Sequence, residues 1–198
     1  MTWDDLRRQA TDENRKDRDR LIGVYIGVLA VLLAICGMGG GNAAKEATLK
    51  NIEATNTWSF FQAKNLRRQV LRTQSEELEL WLVKEPQLSD TAKAAISAKI
   101  AAYKQQADLL TSDERSGEGL DQLWTKGKAL EAARDVAMAK DPYFDYGQAL
   151  LQIAIVLASV ALISSGNLLL GISFVIGVAG SLLMINGFLL LARFPLIG

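Results

Sequence analysis

The sequence contains no histidine, one cysteine (Cys36) and three prolines among its 198 residues. Without histidine, the commonest general base at neutral pH and the commonest metal ligand are both missing. A single cysteine excludes an intramolecular disulfide and any Cys-x-x-Cys site. Charge is also missing from two long stretches, Leu21 to Ala44 and Tyr146 to Ala192. The 22 basic and 22 acidic residues fall almost entirely in residues 1–20 and 45–145. That segregation excludes an ordinary soluble globular domain, and the two apolar stretches exclude disorder.

Both charge-free stretches are long enough to cross a bilayer, since a helix needs about 20 apolar residues for the ~30 Å hydrocarbon core. Leu21–Met38 continues through Gly39, Gly40 and Gly41, giving a first predicted span at 21–41. The second stretch would extend ~70 Å as one helix at 1.5 Å per residue, more than any bilayer. Ser164-Ser165-Gly166-Asn167 supplies turn chemistry. Spans are therefore predicted at 146–163 and 168–191, as a tight hairpin followed by a short tail, 192–198.

Residues 1–20 hold six acidic residues beside six basic ones, unlike the basic leader of a cleaved signal peptide. A retained span is expected. Cys36 follows Ile35, which is too large for a lipidation site, and reads as a small apolar filler. Arg7, Arg8, Arg15, Lys16, Arg18 and Arg20 directly precede the first span. They predict a cytoplasmic charged N-terminal segment, with residues 42–145 and Arg193 on the far side.

Residues 42–145 show no strand alternation and read as helix. Asn42 to Lys84 runs without Pro or Gly until Glu85-Pro86 stops it. Ser89 or Asp90 is the predicted cap of the next helix. In that helix Ala92, Ile96, Ile100, Tyr103, Ala107 and Leu110 form a heptad-like seam. Leu66, Val70, Leu78, Trp81 and Leu82 are the residues expected to meet it. Ser112–Gly119 is a polar break. A helix from about 120 to 140 follows, with Leu123, Gly127, Leu130, Ala133 and Ala137 on one face. Asp141 and Pro142 are then expected as N-cap and first residue of the next span's helix.

Two architectures remain open for this segment. One is a rod rising ~65 Å, matched by two end-to-end helices returning. The other is a squat four-helix bundle with a break near Thr55-Asn56-Thr57. The rod is favoured, because no Gly or Pro marks a break. A single hairpin would have a thin core, and its other apolar faces need partners, which argues for oligomerisation. Trp58, Phe60 and Phe61 lie within four residues of one helix and cannot all face one side, so a contact with another chain is expected. Tyr143, Phe144 and Tyr146 are placed as an interfacial aromatic belt.

Gly23 and Gly27 form a small-xxx-small pattern suited to close helix approach, within the chain or between copies. Ala154/Ala158 and Gly177/Ser181 offer the same. Gln148 and Asn186 lie at similar depth and are expected to form an interhelical hydrogen bond, worth about 0.6 kcal/mol. No ionisable residue lies in a predicted span, which argues against a proton relay, an ion path or a voltage sensor. Gly39–Gly41 lacks the Lys-Ser/Thr of a phosphate loop and reads as a flexible exit from the membrane. No catalytic, cofactor-binding or metal site is predicted. The segment 42–145 carries 15 basic and 16 acidic residues, which gives nucleic-acid binding no support.

The run Gly39-Gly40-Gly41-Asn42-Ala43-Ala44-Lys45-Glu46-Ala47, followed by Asn56-Thr57-Trp58-Ser59-Phe60-Phe61-Gln62-Ala63-Lys64, resembles a bacterial membrane family, the domain of unknown function 4337 family. Leu130–Asp135, Phe144-Asp145-Tyr146 and Leu151–Ile155 extend the resemblance to about residues 21–190. It implies one span, charged helices and a C-terminal membrane hairpin in a bacterial inner membrane, and no assigned activity. The expected fold class is an all-α integral membrane protein, with three transmembrane helices and a long helical hairpin or bundle between the first two. The leading functional expectation is a non-enzymatic scaffold in the lipid bilayer that forms a homo-oligomer. An accessory subunit bound to other membrane-protein subunits, and an oligomeric channel or transporter component, are the alternatives.

Overall fold

The computed structural model describes residues 3–164 and 166–193, with side chains from Glu13 onward except Asn14. Ser165 and most of the expected tail lie outside the described residues, as do the side chains of Arg7 and Arg8. The described residues form four helices and no strand: α1 (Trp3–Lys84), α2 (Asp90–Thr111), α3 (Leu120–Ser164) and α4 (Asn167–Leu189). Helices α1, α3 and α4 are long and apolar enough to cross a membrane.

Two helix boundaries expected from the sequence are absent. Helix α1 continues through Gly39–Gly41, and it runs unbroken through Thr55–Thr57, as the favoured rod requires. Helix α3 continues through Pro142, so Asp141 is not an N-cap. Proline inside a helix loses one hydrogen bond and costs ~3 kcal/mol. Here the next two residues, Tyr143 and Phe144, are each only 2% exposed, and their burial holds the helix together past the proline. The same burial corrects the aromatic belt: of the three residues only Tyr146 faces outward.

The chain divides into two compact units: Met1–Ala47 with Asp135–Gly198, and Thr48–Arg134. The first unit packs parts of α1, α3 and α4 around Leu29, Cys36, Phe144, Leu151, Ala154 and Met184. Small residues bring its backbones together. A Cβ added at Gly147 would lie 3.1 Å from the Gly180 carbonyl oxygen, and one at Gly180 3.0 Å from that of Gly147. Ala154 and Ala158 are fully buried in the same interface. This is the packing that apolar helices use when lipid is as apolar as their side chains. Ser173 Oγ donates to the Ala154 carbonyl at 2.7 Å. Its single proton is thereby committed, so the Tyr25 hydroxyl donates to Ser173 Oγ at 3.3 Å.

The second unit is built by α1, α2 and the start of α3. Ser89 caps α2, its hydroxyl accepting from the Ala92 amide at 3.3 Å. The α2 seam is buried as expected at Ile100 and Ala107. The α1 face is not the expected one. Leu66, Val70 and Trp81 are exposed, and the buried positions are Ala54, Thr57, Leu71 and Ser75, with Leu78 and Leu82 half-buried. Polar residues occupy half of that face, so hydropathy alone pointed elsewhere. The Ser112–Gly119 link is ordered: Asp113 Oδ1 accepts from the amides of Arg115 and Ser116, both at 3.1 Å, and Gly117 takes the positive φ of 68° that closes the turn.

Candidate functional site

Two constellations stand out, one in each unit. In the Thr48–Arg134 unit, Trp58 and Phe61 of α1 meet Trp124 of α3. The ring centroids are 5.6 Å apart for Trp58–Phe61, 5.1 Å for Trp58–Trp124 and 5.9 Å for Phe61–Trp124. The two tryptophans stand edge to face at 78°, the arrangement the ring quadrupoles favour. Gly127 permits the approach, since a Cβ there would lie 2.8 Å from Trp58.

Polar groups close the cluster. Trp58 Nε1 donates to Glu131 Oε1 at 2.9 Å, and Lys128 Nζ donates to Glu131 Oε2 at 2.9 Å. The Lys128 ammonium sits 5.6 Å and 5.5 Å from the centroids of Trp58 and Trp124, within cation–π range. The hydrogen bond from Lys128, helped by that from Trp58, holds the Glu131 carboxyl below the ordinary glutamate range. Trp124, Lys128 and Glu131 were not singled out from the sequence. Their spacing of four and three on one helix face was the available signal.

In the other unit, Phe144 of α3 lies in a slot lined by glycines. A Cβ at Gly39 would collide with the ring at Cε1 and lie 2.8 Å from Cζ; at Gly187 it would lie 2.9 Å from Cζ, and at Gly40 3.1 Å from Phe144 Cβ. Phe188 closes the slot edge to face at 4.8 Å. Cys36 Sγ donates to the Phe144 carbonyl at 3.2 Å. Gly39 and Gly40 of α1 and Gly187 of α4 therefore seat the ring, while Gly41 faces open space; the unbroken helix through Gly39–Gly41 corrects the flexible exit expected of them. Beside the slot, Asn42, Ala43, Glu46 and Lys140 line a shallow depression of about 160 Å³. Asp141 is partly buried nearby; desolvation, then repulsion by Asp145, raises its carboxyl above the usual range.

The remaining sequence candidates fall as follows. Phe60 points away from the cluster and is 41% exposed, with Lys64 Nζ 4.9 Å from its ring centroid. Among the described residues, nothing lies within 4 Å of a Cβ added at Gly23 or Gly27, so neither packs against another described helix. Gln148 and Asn186 do not form the expected pair. Asn186 Nδ2 donates to the Ala192 carbonyl at 2.7 Å and its Oδ1 accepts from the Ala192 amide at 2.9 Å. Helix α4 ends at Leu189, with Leu190 in the left-handed region at φ 48°. Both ends of the Asn186 amide are thereby turned to the backbone of Ala192, past the end of α4, and not to Gln148. Among the described residues no group of three or more His, Cys, Asp or Glu is placed to hold a metal.

These features define a class: an all-helical protein with three helices suited to a membrane and a charged helical unit inserted between the first two. The profile of the family described as Domain of unknown function (DUF4337) matches residues 18–190, and the chain belongs to that family. No curated protein and no solved structure is significantly similar to it.

Proposed function

We propose that the chain is a membrane-anchored scaffold that acts by assembling with copies of itself. Its N-terminus lies in the cytoplasm, and residues 42–145 lie on the outer face of a bacterial inner membrane. The observation that carries this reading is the surface of the Thr48–Arg134 unit. Leu49, Ile52, Leu66, Val70 and Leu80 stand exposed on a helix rich in charge, where water rather than lipid would meet them. Exposed apolar patches of that extent mark interaction surfaces. The aromatic cluster contributes rigidity: its rings pack on one another, and its polar groups are bonded within the chain.

The test is the mass of the protein purified in detergent, measured by light scattering with the detergent contribution subtracted. A single closed homo-oligomer is expected. Co-purification of unrelated subunits in fixed ratio would make the chain an accessory subunit instead, and a monomer at every concentration would end the proposal.

A further inference from the structure

The exposed apolar residues of α1 follow a strict rule. In the Thr48–Arg134 unit, Leu49, Ile52, Leu66, Val70 and Leu80 fall on the a and d positions of a single heptad register. That register places Leu49, Asn56, Ala63, Val70 and Glu77 at a, and Ile52, Ser59, Leu66, Thr73 and Leu80 at d. Carried back without an offset, it places Leu21, Val28 and Ile35 at a, and Val24, Val31 and Met38 at d; all six are exposed. Among the described residues, the other large apolar side chains exposed on α1, Phe60, Trp81 and Val83, fall at e or g, on the flanks of the same stripe. The residues α1 buries within the chain, such as Ala54, Thr57, Leu71 and Ser75, occupy b and f, on the opposite side.

We propose that the a/d face of α1 in the Thr48–Arg134 unit is a coiled-coil surface. Its partner is the same face of α1 in a second copy of this chain, parallel and in register. This inference rests on the scaffold reading above and names the interface of that assembly. Large apolar side chains fill five of the ten a and d positions of this unit, and a stripe on that seven-residue period pairs with a helix of the same period, which α1 of a second copy supplies. Two copies anchored by the same membrane segments enter the contact with the same polarity, which makes the pair parallel. The exposed residues of this unit's stripe, flanks included, offer on the order of 800 Å² per copy, the area of a standard stable interface. Asn56 lies at an inner a position, where a polar residue fixes register at some cost in stability. Across a parallel pair, the g-to-e neighbours Thr48–Glu53, Gln62–Arg67 and Gln69–Gln74 bring no like charges together; the like charges that do oppose are the two Glu77 side chains at a.

The experiment uses the full-length chain in detergent, in a Cys36→Ser background, with single cysteines at Val70→Cys (a), Leu66→Cys (d) and Arg72→Cys (c). Mild oxidation should link copies through residue 70 or 66 at least tenfold faster than through residue 72. Leu66 is 63% exposed, so Leu66→Glu leaves the single chain folded; it should weaken assembly at least tenfold in the mass-against-concentration curve. Glu77→Leu fills the charged gap in the stripe and should tighten assembly by a similar factor. An oligomer that cross-links fastest at residue 72, or whose assembly ignores both substitutions, overturns this interface and leaves the scaffold reading standing. A wild-type chain that remains monomeric at every concentration overturns both.

Discussion

The indole nitrogen of Trp58 donates to Glu131 across 73 positions of sequence, at 2.9 Å. The bond ties α1 to α3 inside the charged unit and aligns two tryptophan rings beneath the Lys128 ammonium. Trp58→Ala removes the ring and leaves Glu131 without one donor. For a half-buried tryptophan a loss of about 2–4 kcal/mol is expected. Glu131→Gln keeps an acceptor for the indole and gives up only the ion pair with Lys128, so a smaller loss than for Trp58→Ala is expected. Denaturant unfolding followed by tryptophan fluorescence separates the two. An unchanged midpoint for Trp58→Ala would show that the cluster does not support the fold.

Two glycines two positions apart should respond with opposite sign to the same change. Gly39→Ala drives a methyl into the Phe144 ring and should lower the melting temperature of the detergent-solubilised protein. Gly41→Ala meets open space and removes the entropy cost of a helical glycine. It should stabilise by roughly 0.5–1 kcal/mol. Equal effects at both positions would contradict the ring seat.

The pH dependence of stability should carry two opposed contributions. Burial and Asp145 raise the Asp141 carboxyl. Its folded form holds the proton to higher pH than the unfolded chain, whose aspartates titrate near ~3.9. Stability from this site is therefore greatest below that pH and falls as pH rises through the folded value. Glu131 is lowered by Lys128 and Trp58, and Asp113 by the hydroxyl and amide of Ser116. Their contribution is present at neutral pH and lost as pH falls through their folded values. Asp141→Asn should stabilise at pH 7 and have no such effect at pH 3. Thermal melts of the pair at both pH values give the answer.

The topology is open to chemical labelling. An impermeant thiol reagent on intact cells should modify Ser116→Cys and spare Thr11→Cys, both in the Cys36→Ser background. Labelling at residue 11 alone would reverse the orientation and place the charged unit in the cytoplasm.

Much of this arrangement was legible because bilayer length and helix punctuation are properties of short windows. The three apolar helices, the end of α3 at Ser164 and start of α4 at Asn167, the Ser89 cap and the Ile100–Ala107 seam all follow from residues near one another in sequence. The continuity of α3 through Pro142 was not legible, because it depends on Tyr143 and Phe144 being buried by residues far away in sequence. Nor was the ring seat: a run of three glycines reads as flexible until Phe144 is placed against it. Asn186 was misassigned for the same reason, its partner being set by where α4 stops. The packed face of α1 escaped detection because Thr57, Lys64, Arg68 and Ser75 occupy it, and a search for apolar periodicity selects the stripe the chain leaves bare.

The slot around Phe144 has a bearing on how the protein is made. Its wall draws on Gly39 and Gly40, synthesised before Phe144, and on Gly187, synthesised after it. A glycine in a helix costs ~0.5–1 kcal/mol relative to alanine, and three in a row leave that turn of α1 weak until the ring arrives. The ring in turn is uncovered on one side until α4 follows it. A nascent chain that stops short of residue 187 would therefore hold the Phe144 ring against Gly39 and Gly40 with its α4 side still open, and Gly187 and Phe188 are what close it.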